Sequence, residues 1–269
     1  MDTAIRHRVN VARAVIREEV GFFRKQFGQV PSEWKEDATR VTFADFAISE
    51  RILNNLRRSF ADDNLCSEES NPLDEILDLK AKYTWVLDPI DGTNNYAIGL
   101  PFCAIALALL KWGEPVYGLV YDYARDRLIE GGPGCPLLDS GRRVHLHDRE
   151  LDERRSIIGM HFPLPAKVIG PLTPVLARYR LRSLGSGALN LAYTAIGLLD
   201  GCIDFKVKVW DIAACVALLR AANHPFVPLG ETAFPLKTFH VRAPIIPFYA
   251  GTPSFCSYVR SLDLEAAFS

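Results

Sequence analysis

Two aspartates three residues apart follow directly on an apolar segment of the chain. Residues 83–87 form an aromatic and β-branched run that predicts a strand, and Asp88 and Asp91 come next. Two carboxylates at the end of a buried strand cost free energy unless a cation compensates their charge. Gly92 permits a close approach of the backbone, and Thr93 adds a hydroxyl and an N–H group. The same dipeptides also fit an ordinary turn, so this segment alone leaves a cation site and a turn open.

Further acidic positions could join this pair. Glu68 and Glu69 precede the predicted strand, Asp45 lies in the first turn of a predicted helix, and Asp211 follows Trp210 where an apolar helix begins. Each position taken alone fits a solvated charge or an acid that favours a helix N-terminus. Brought together in one cleft, the same carboxylates would form a strongly negative site that needs cations.

The elements that must position these residues alternate between helices and strands. Apolar residues at steps of three and four predict helices over 3–27 and 43–60, with an exposed loop over 33–40 between them. Residues 61–82 are polar and are predicted to be irregular, with one short helical piece around Ile76. These N-terminal segments therefore lead into the strand that ends at Asp88.

The second part of the chain continues the alternation. A hairpin is predicted from the apolar runs 102–110 and 116–121, which flank a turn at Gly113-Glu114-Pro115. Further predictions are a strand over 156–160 and helices over 172–179, 189–199 and 212–222. The pattern is typical of the α/β or α+β class. Segment 130–145 is rich in Gly, Pro and Arg, which favours a boundary between an N-terminal unit (1–140) and a smaller unit (141–269).

Composition excludes several classes of protein. The 269 residues include 31 Lys and Arg against 32 Asp and Glu, so the chain lacks the basic excess of a nucleic-acid binder. The longest apolar run, 102–110, is far shorter than the roughly 20 residues that span a bilayer. Six scattered cysteines with no CxxC pair indicate reduced thiols in a cytosolic protein.

Four motifs in order resemble those of the inositol monophosphatase superfamily. The central motif is Asp88-Pro89-Ile90-Asp91-Gly92-Thr93-Asn94-Asn95-Tyr96, and the later one is Trp210-Asp211-Ile212-Ala213-Ala214. Ser67-Glu68-Glu69-Ser70, and Val41-Thr42 with Ala44-Asp45, occupy the remaining places. The resemblance implies a layered αβαβα sandwich of the inositol monophosphatase and fructose-1,6-bisphosphatase type. It also implies a large antiparallel sheet in the N-terminal unit that carries most metal ligands, and a C-terminal unit that supplies Asp211 and a substrate loop.

The resemblance also implies roles for individual residues. Two to three Mg²⁺ ions are expected, held by Glu69, Asp88, the Ile90 carbonyl, Asp91 and Asp211, with Asp45 and Glu69 at a weaker third site. Thr93, hydrogen-bonded to Asp45, would help Glu69 to activate the attacking water. The implied substrate contacts are Asp91, the N–H groups of Gly92 and Thr93, the loop Gly185-Ser186-Gly187 with the N-terminus of the helix that follows it, and Asp204.

Lys206 and Lys208 stand apart from the family pattern. Their spacing places them on one face of a predicted strand, either as a solvated face or pointing into the cleft. In the second case they would favour a substrate with extra negative charge.

The resemblance thus implies a cytoplasmic, homodimeric and lithium-sensitive Mg²⁺-dependent phosphatase. Its substrate would be inositol monophosphate or a related sugar or polyol phosphate, with no nucleic-acid or membrane partner. The alternatives are a fructose-1,6-bisphosphatase, a 3′-phosphoadenosine 5′-phosphate phosphatase and a histidinol-phosphate phosphatase. A catalytically silent scaffold or regulator is the alternative of another class, and it predicts a broken carboxylate cluster.

Overall fold

Seven α-helices and sixteen strands build the part of the chain that the computed structural model describes, residues 1–35, 40–69, 75–146 and 150–268. The helices are α1 (Thr3–Gln26), α2 (Phe43–Ser59), α3 (Thr93–Ile98), α4 (Ala166–Arg178), α5 (Gly187–Ala195), α6 (Val209–Ala222) and α7 (Pro253–Arg260). The strands are β1 (Ser32–Trp34), β2 (Arg40–Thr42), β3 (Asn64–Ser67), β4 (Leu77–Asp78), β5 (Tyr83–Asp91), β6 (Ala104–Lys111), β7 (Glu114–Asp122), β8 (Arg127–Gly131), β9 (Leu138–Asp139), β10 (Arg142–Arg143), β11 (Ile157–Met160), β12 (Arg180–Arg182), β13 (Gly201–Asp204), β14 (Phe226–Pro228), β15 (Thr238–Phe239) and β16 (Phe248–Gly251).

A seven-stranded sheet, in the order β10-β9-β8-β7-β6-β5-β3, separates two apolar cores. Successive side chains of a strand point to opposite faces, and β6 shows this plainly. Ala104, Ala106 and Ala108 join the core formed with α5 and α6, whereas Ile105 and Leu107 join the core formed with α1 and α2. Small alanines on one face therefore let α6 pack closely on the sheet.

A five-stranded sheet, in the order β12-β11-β13-β16-β14, lies on the other side of α5 and α6. Its outer face packs against α4 and α7 through a third core that includes Ile158, Val168 and Phe255. The layers are thus α1 and α2, the large sheet, α5 and α6, the small sheet, and α4 and α7. This order confirms the predicted αβαβα sandwich.

The hairpin between β6 and β7 is confirmed, with a tighter turn than the sequence indicated. Trp112 and Gly113 both have positive φ angles, 53° and 81°, and connect strands that pair antiparallel. A two-residue turn with both residues left-handed matches the right-handed twist of the flanking strands. Glu114 and Pro115, predicted to lie in the turn, are the first residues of β7.

Two segments predicted to lack strands form them. Within the predicted loop 33–40, β1 pairs antiparallel with β2, and the Arg40 guanidinium lies 4.3 Å from the centre of the Trp34 ring. Within 61–82, β3 pairs parallel with β5, and β4 pairs with β15 rather than forming the helical piece predicted around Ile76. These strands form because they pair with strands that are distant in sequence, and local composition does not reveal such pairing. Residues 36–39 and 70–74, including Ser70, lie outside the described residues.

Two further sequence expectations are corrected by the fold. Lys206 and Lys208 do not share a strand, because β13 ends at Asp204 and Lys208 is the residue that caps α6. Helix α4 begins at Ala166, earlier than the predicted start at residue 172, with Pro171 and Pro174 inside it.

The described part of the chain contains no helix that is both long and apolar enough to cross a membrane. All six cysteines are free thiols, as predicted. The large sheet draws on residues 64–143 and the small sheet on residues 157–251, but the boundary at residue 140 stays a prediction.

Candidate active site

Three aspartates from two elements meet at one end of the large sheet. Strand β5 ends in an irregularity between Asp88 and Asp91, which places both carboxylates at the strand end. Asp211 is the third residue of α6, and its Oδ2 accepts a hydrogen bond from the Lys208 N–H at 2.6 Å. One carboxylate oxygen from each aspartate lies within 4.8 Å of the others. Asp88 and Asp91 are buried, and Asp211 is half-buried.

The environment of these carboxylates opposes their negative charge. Burial raises the pKa of Asp88 well above its ordinary value, and the charges of Glu68, Asp91 and Asp211 raise it further. Burial, then Asp91 and Glu68, likewise raise the pKa of Asp211. Burial raises the pKa of Asp91 to about 6, although hydrogen bonds from Ser186 and two backbone N–H groups oppose the shift. A divalent cation with hard oxygen ligands fits this cluster, because it would compensate charge that the protein leaves unbalanced.

The structure places Glu68 beside this cluster. Parallel pairing of β3 with β5 aligns Ser67 with Leu87, and the Glu68 N–H donates to the Leu87 carbonyl. Glu68 therefore comes beside Asp88, lines the cleft, and acts on the pKa of both Asp88 and Asp211.

Glu69 has a different environment. Its side chain is nearly buried, is not among the residues that line the cleft, and contacts the Lys35 ammonium group. Lys35 also contacts Glu68, 2.8 Å from Nζ to Oε1. Burial lowers the pKa of Lys35, but the two carboxylates outweigh it and raise the pKa overall. Burial and the charge of Glu68 raise the pKa of Glu69 to about 7.

Asp45 and Thr93 form the hydrogen bond that the resemblance implied. The Thr93 hydroxyl lies 3.1 Å from Asp45 Oδ1 and 2.8 Å from the Ile90 carbonyl oxygen. Asp45 Oδ2 accepts from the backbone and the side chain of Thr42, which forms the capping box of α2. Burial raises the pKa of Asp45 to about 6. Thr93 lines the cleft, whereas Asp45 is buried behind it.

Gly92 and Thr93, at the start of α3, line the cleft. Gly92 precedes the helix with φ 84°, a conformation that favours glycine. A Cβ on Gly92 would lie 2.8 Å from the Phe102 carbonyl oxygen and 3.3 Å from the Gly185 carbonyl oxygen. The site therefore requires glycine here for both conformation and space, and a helix N-terminus attracts anions.

The predicted substrate loop 185–187 contacts Asp91. Ser186 caps α5 and contacts Asp91, and the Gly187 and Ala188 N–H groups donate to the same carboxylate at 3.2 and 2.8 Å. Gly185 and Gly187 line the cleft, as predicted, but the N-terminus of α5 is bound to Asp91. The expectation that this helix N-terminus is offered to a substrate is therefore corrected.

The cleft, about 510 Å³ in volume, also has a cationic wall formed by Arg40, His161, Lys206 and Lys208. The predicted substrate contact Asp204 is 1% exposed and is not among the residues that line the cleft. Sequence reasoning missed His161, which carries no motif. Glu68 was among the acidic positions that could join the pair, and the parallel pairing of β3 with β5 explains its place beside Asp88.

A buried carboxylate cluster that suits divalent cations, beside N–H groups that suit an anion, is the arrangement of a metal-dependent phosphatase. A sequence profile described as the inositol monophosphatase family matches residues 2–247. The chain belongs to the inositol monophosphatase family.

The chain is similar to named relatives and to solved structures. The chain is 28% identical over 219 residues to a "Fructose-1,6-bisphosphatase/inositol-1-monophosphatase" of Aquifex aeolicus, covering 77% of this chain and 80% of the relative. It is 32% identical over 191 residues to "Nus factor SuhB" of Pasteurella multocida, covering 68% and 69%. The fold is similar to the solved structure of a Thermotoga maritima IMPase, with a TM-score of 0.81, 24% identity, and coverage of 95% of this chain and 96% of that one.

Proposed function

We propose that this protein hydrolyses a small phosphate monoester with Mg²⁺ ions held at the carboxylate cluster. The observation that carries the proposal is the convergence of Asp88, Asp91 and Asp211, with oxygens within 4.8 Å, in surroundings that raise the pKa of each. Such a cluster is costly to build for structural purposes alone. Membership of the inositol monophosphatase family supports the assignment as a phosphoric monoester hydrolase.

The proposed ligands are the three clustered aspartates, Glu68 and the Ile90 carbonyl. Glu68 replaces the predicted Glu69 because Glu68 lines the cleft. The Ile90 oxygen accepts from Thr93 and keeps a second lone pair for an ion. Two or three bound Mg²⁺ ions would neutralise phosphate charge and lower the pKa of a nearby water.

The chain's own residues would orient that water and hold its proton. With its proton donated to Asp45 or the Ile90 carbonyl, the Thr93 oxygen can accept a hydrogen bond from a water in the cleft. Glu68 is the glutamate lining the cleft that could accept the proton. Asp45 then acts by holding Thr93 in place.

The N–H groups of Gly92 and Thr93 would bind the phosphate of the substrate. They lie at the positive end of α3 and line the cleft. We infer that this anchor places the ester phosphorus in line with the oriented water. Asp91 accepts a hydrogen bond from the start of α5 and so holds the two sides of the cleft in a fixed relative position.

The proposed substrate is a sugar or polyol phosphate. The name of the Aquifex aeolicus relative combines fructose 1,6-bisphosphate and inositol 1-phosphate chemistry, and this supports both as candidates here. 3′-Phosphoadenosine 5′-phosphate and histidinol phosphate stay as alternatives. The homodimer, the cytoplasmic location and the lithium sensitivity implied by the resemblance also stay predictions.

A second candidate function is a regulatory role without catalysis. A relative at 32% identity is named "Nus factor SuhB" rather than as an enzyme, which favours keeping this alternative. A silent regulator has no need of an intact carboxylate cluster, whereas this chain keeps Glu68, Asp88, Asp91 and Asp211 together. Metal titration separates the two, because a silent regulator need not bind Mg²⁺.

The test is phosphate release from inositol 1-phosphate, fructose 1,6-bisphosphate, histidinol phosphate and 3′-phosphoadenosine 5′-phosphate, with Mg²⁺ and with EDTA. The proposal expects turnover of at least one ester with Mg²⁺ and none with EDTA. Asp88→Asn, which keeps the size of the side chain, should abolish turnover. Absence of Mg²⁺-dependent hydrolysis of every ester would reject the proposal.

A further inference from the structure

A buried aspartate holds a histidine at the wall of the cleft. Asp204 Oδ2 lies 3.4 Å from His161 Nδ1, and Asp204 Oδ1 accepts a hydrogen bond from the Lys206 N–H at 2.9 Å. Asp204 is 1% exposed, whereas His161 and Lys206 both line the cleft. One carboxylate thus lies against the His161 ring and holds the Lys206 backbone while staying out of the cleft itself.

This arrangement places the Lys206 side chain near the His161 ring. The adjacent carboxylate of Asp204 raises the pKa of His161, while the charge of nearby Lys206 opposes that shift. Arg40 and Lys208 line the same cleft. Like charges side by side raise the free energy of the site, and an anion between them removes that cost.

The carboxylate cluster could be that anion in the protein without metal. With the proposed Mg²⁺ ions bound, that negative charge would be compensated, and within the described part of the chain the Lys206 ammonium group forms no ion pair that would take its place. A substrate phosphate held at Gly92 and Thr93 interacts first with the ions. The wall therefore has capacity for a further anionic group.

We propose that His161 and Lys206, positioned by Asp204, bind a second anionic group of the substrate, a phosphate or a carboxylate. This inference rests on the proposed function and names its substrate class as phosphate esters that carry another negative charge. His161 and Lys206 contact the substrate, and Asp204 is a positioning residue.

The experiment compares three substrates in the presence of excess Mg²⁺. Inositol 1-phosphate has a neutral remainder, fructose 1,6-bisphosphate carries a second phosphate, and 3-phosphoglycerate carries a carboxylate. Each is assayed with the wild type, His161→Ala, Lys206→Ala and Asp204→Asn. Lys80→Ala, which removes a lysine with an 85% exposed side chain, is the matched control for loss of positive charge.

The expected result is a change in KM that depends on the substrate. Each of the three cleft variants should raise KM about tenfold for a substrate with a second anion, as for the loss of one charge-assisted hydrogen bond at a partly exposed site. KM for inositol 1-phosphate should change less than twofold, kcat should stay within about threefold, and Lys80→Ala should behave like the wild type. The second anion that shows the effect, phosphate or carboxylate, identifies the ligand.

Two outcomes would overturn the inference while leaving the proposed function intact. One is an equal effect on all three substrates, or no effect on any. The other is that Lys206→Ala alters only the Mg²⁺ concentration for half-maximal rate, which means that the lysine balances the carboxylate cluster. If the wild type hydrolyses no ester, the proposed function fails. The affinity of fructose 1,6-bisphosphate for the wild type and for His161→Ala, measured by calorimetry, then tests the proposed anion subsite. Equal affinity of the two proteins would reject that subsite.

Discussion

Without metal, this protein should lose stability as the pH rises through the range in which its buried carboxylates ionise. Burial raises the pKa of Asp91 and of Asp45 to about 6. In the unfolded chain both groups have a pKa of about 3.9. A group with a raised folded pKa contributes stability that is complete below the unfolded pKa. That stability is lost as the pH rises through the folded pKa.

The size of the loss follows from these pKa values. Between pH 5 and pH 8, each of the two groups removes about 1.4 kcal/mol from the free energy of unfolding, hence about 3 kcal/mol together. The raised pKa values of Asp88 and Asp211 act in the same direction. For a chain of this length the two groups lower the melting temperature by roughly 5 °C.

The assay is thermal unfolding from pH 5 to pH 8, with EDTA and with excess Mg²⁺. The stabilisation by Mg²⁺ should grow with pH, because the ions bind the ionised carboxylates. Asp211→Asn, which retains an oxygen to accept from the Lys208 N–H, should flatten the pH dependence in EDTA and reduce the effect of Mg²⁺. Equal stabilisation by Mg²⁺ at pH 5 and pH 8, or a pH profile that Asp211→Asn leaves unchanged, would refute the reasoning.

Three substitutions test individual roles by steady-state phosphate release. Glu68→Gln should raise the Mg²⁺ concentration for half-maximal rate about 100-fold. Its matched control, Glu69→Gln, should raise that concentration less than about tenfold. The reverse order would identify Glu69 as the ligand. Gly92→Ala, whose Cβ would lie 2.8 Å from the Phe102 carbonyl oxygen, should lower kcat/KM about 100-fold, and a near-normal value would exclude the tight fit as a requirement. Thr93→Val should lower kcat about 100-fold with little change in KM. A normal kcat in this variant would show that Thr93 has no part in orienting the water.

Local patterns in the sequence predicted much of the site because several of its residues belong to short elements with clear signals. Asp88 and Asp91 end an apolar strand, and Asp45 lies in the first turn of its helix, as expected. The hairpin of β6 and β7 follows from two adjacent apolar runs. These features depend on interactions between residues that are near in the chain.

The errors arose where pairing between distant segments decides the structure. The sequence alone does not show that Glu68 lies beside Asp88, because the register of β3 against β5 cannot be read from the segment 61–82 itself. The start of α5 was expected to face a substrate, but Asp91, almost a hundred residues earlier, binds its N–H groups. His161 joins the cleft through Asp204, a partner that no spacing rule connects with it.

The most direct test of the central claim is phosphate release by EDTA-treated protein as Mg²⁺ is added back, for the wild type and Asp211→Asn. The account predicts no release before the addition and a saturable recovery in the wild type. It predicts that Asp211→Asn needs at least about 100-fold more Mg²⁺ or stays inactive. Release that does not depend on Mg²⁺, or an unchanged Mg²⁺ requirement in Asp211→Asn, would contradict it.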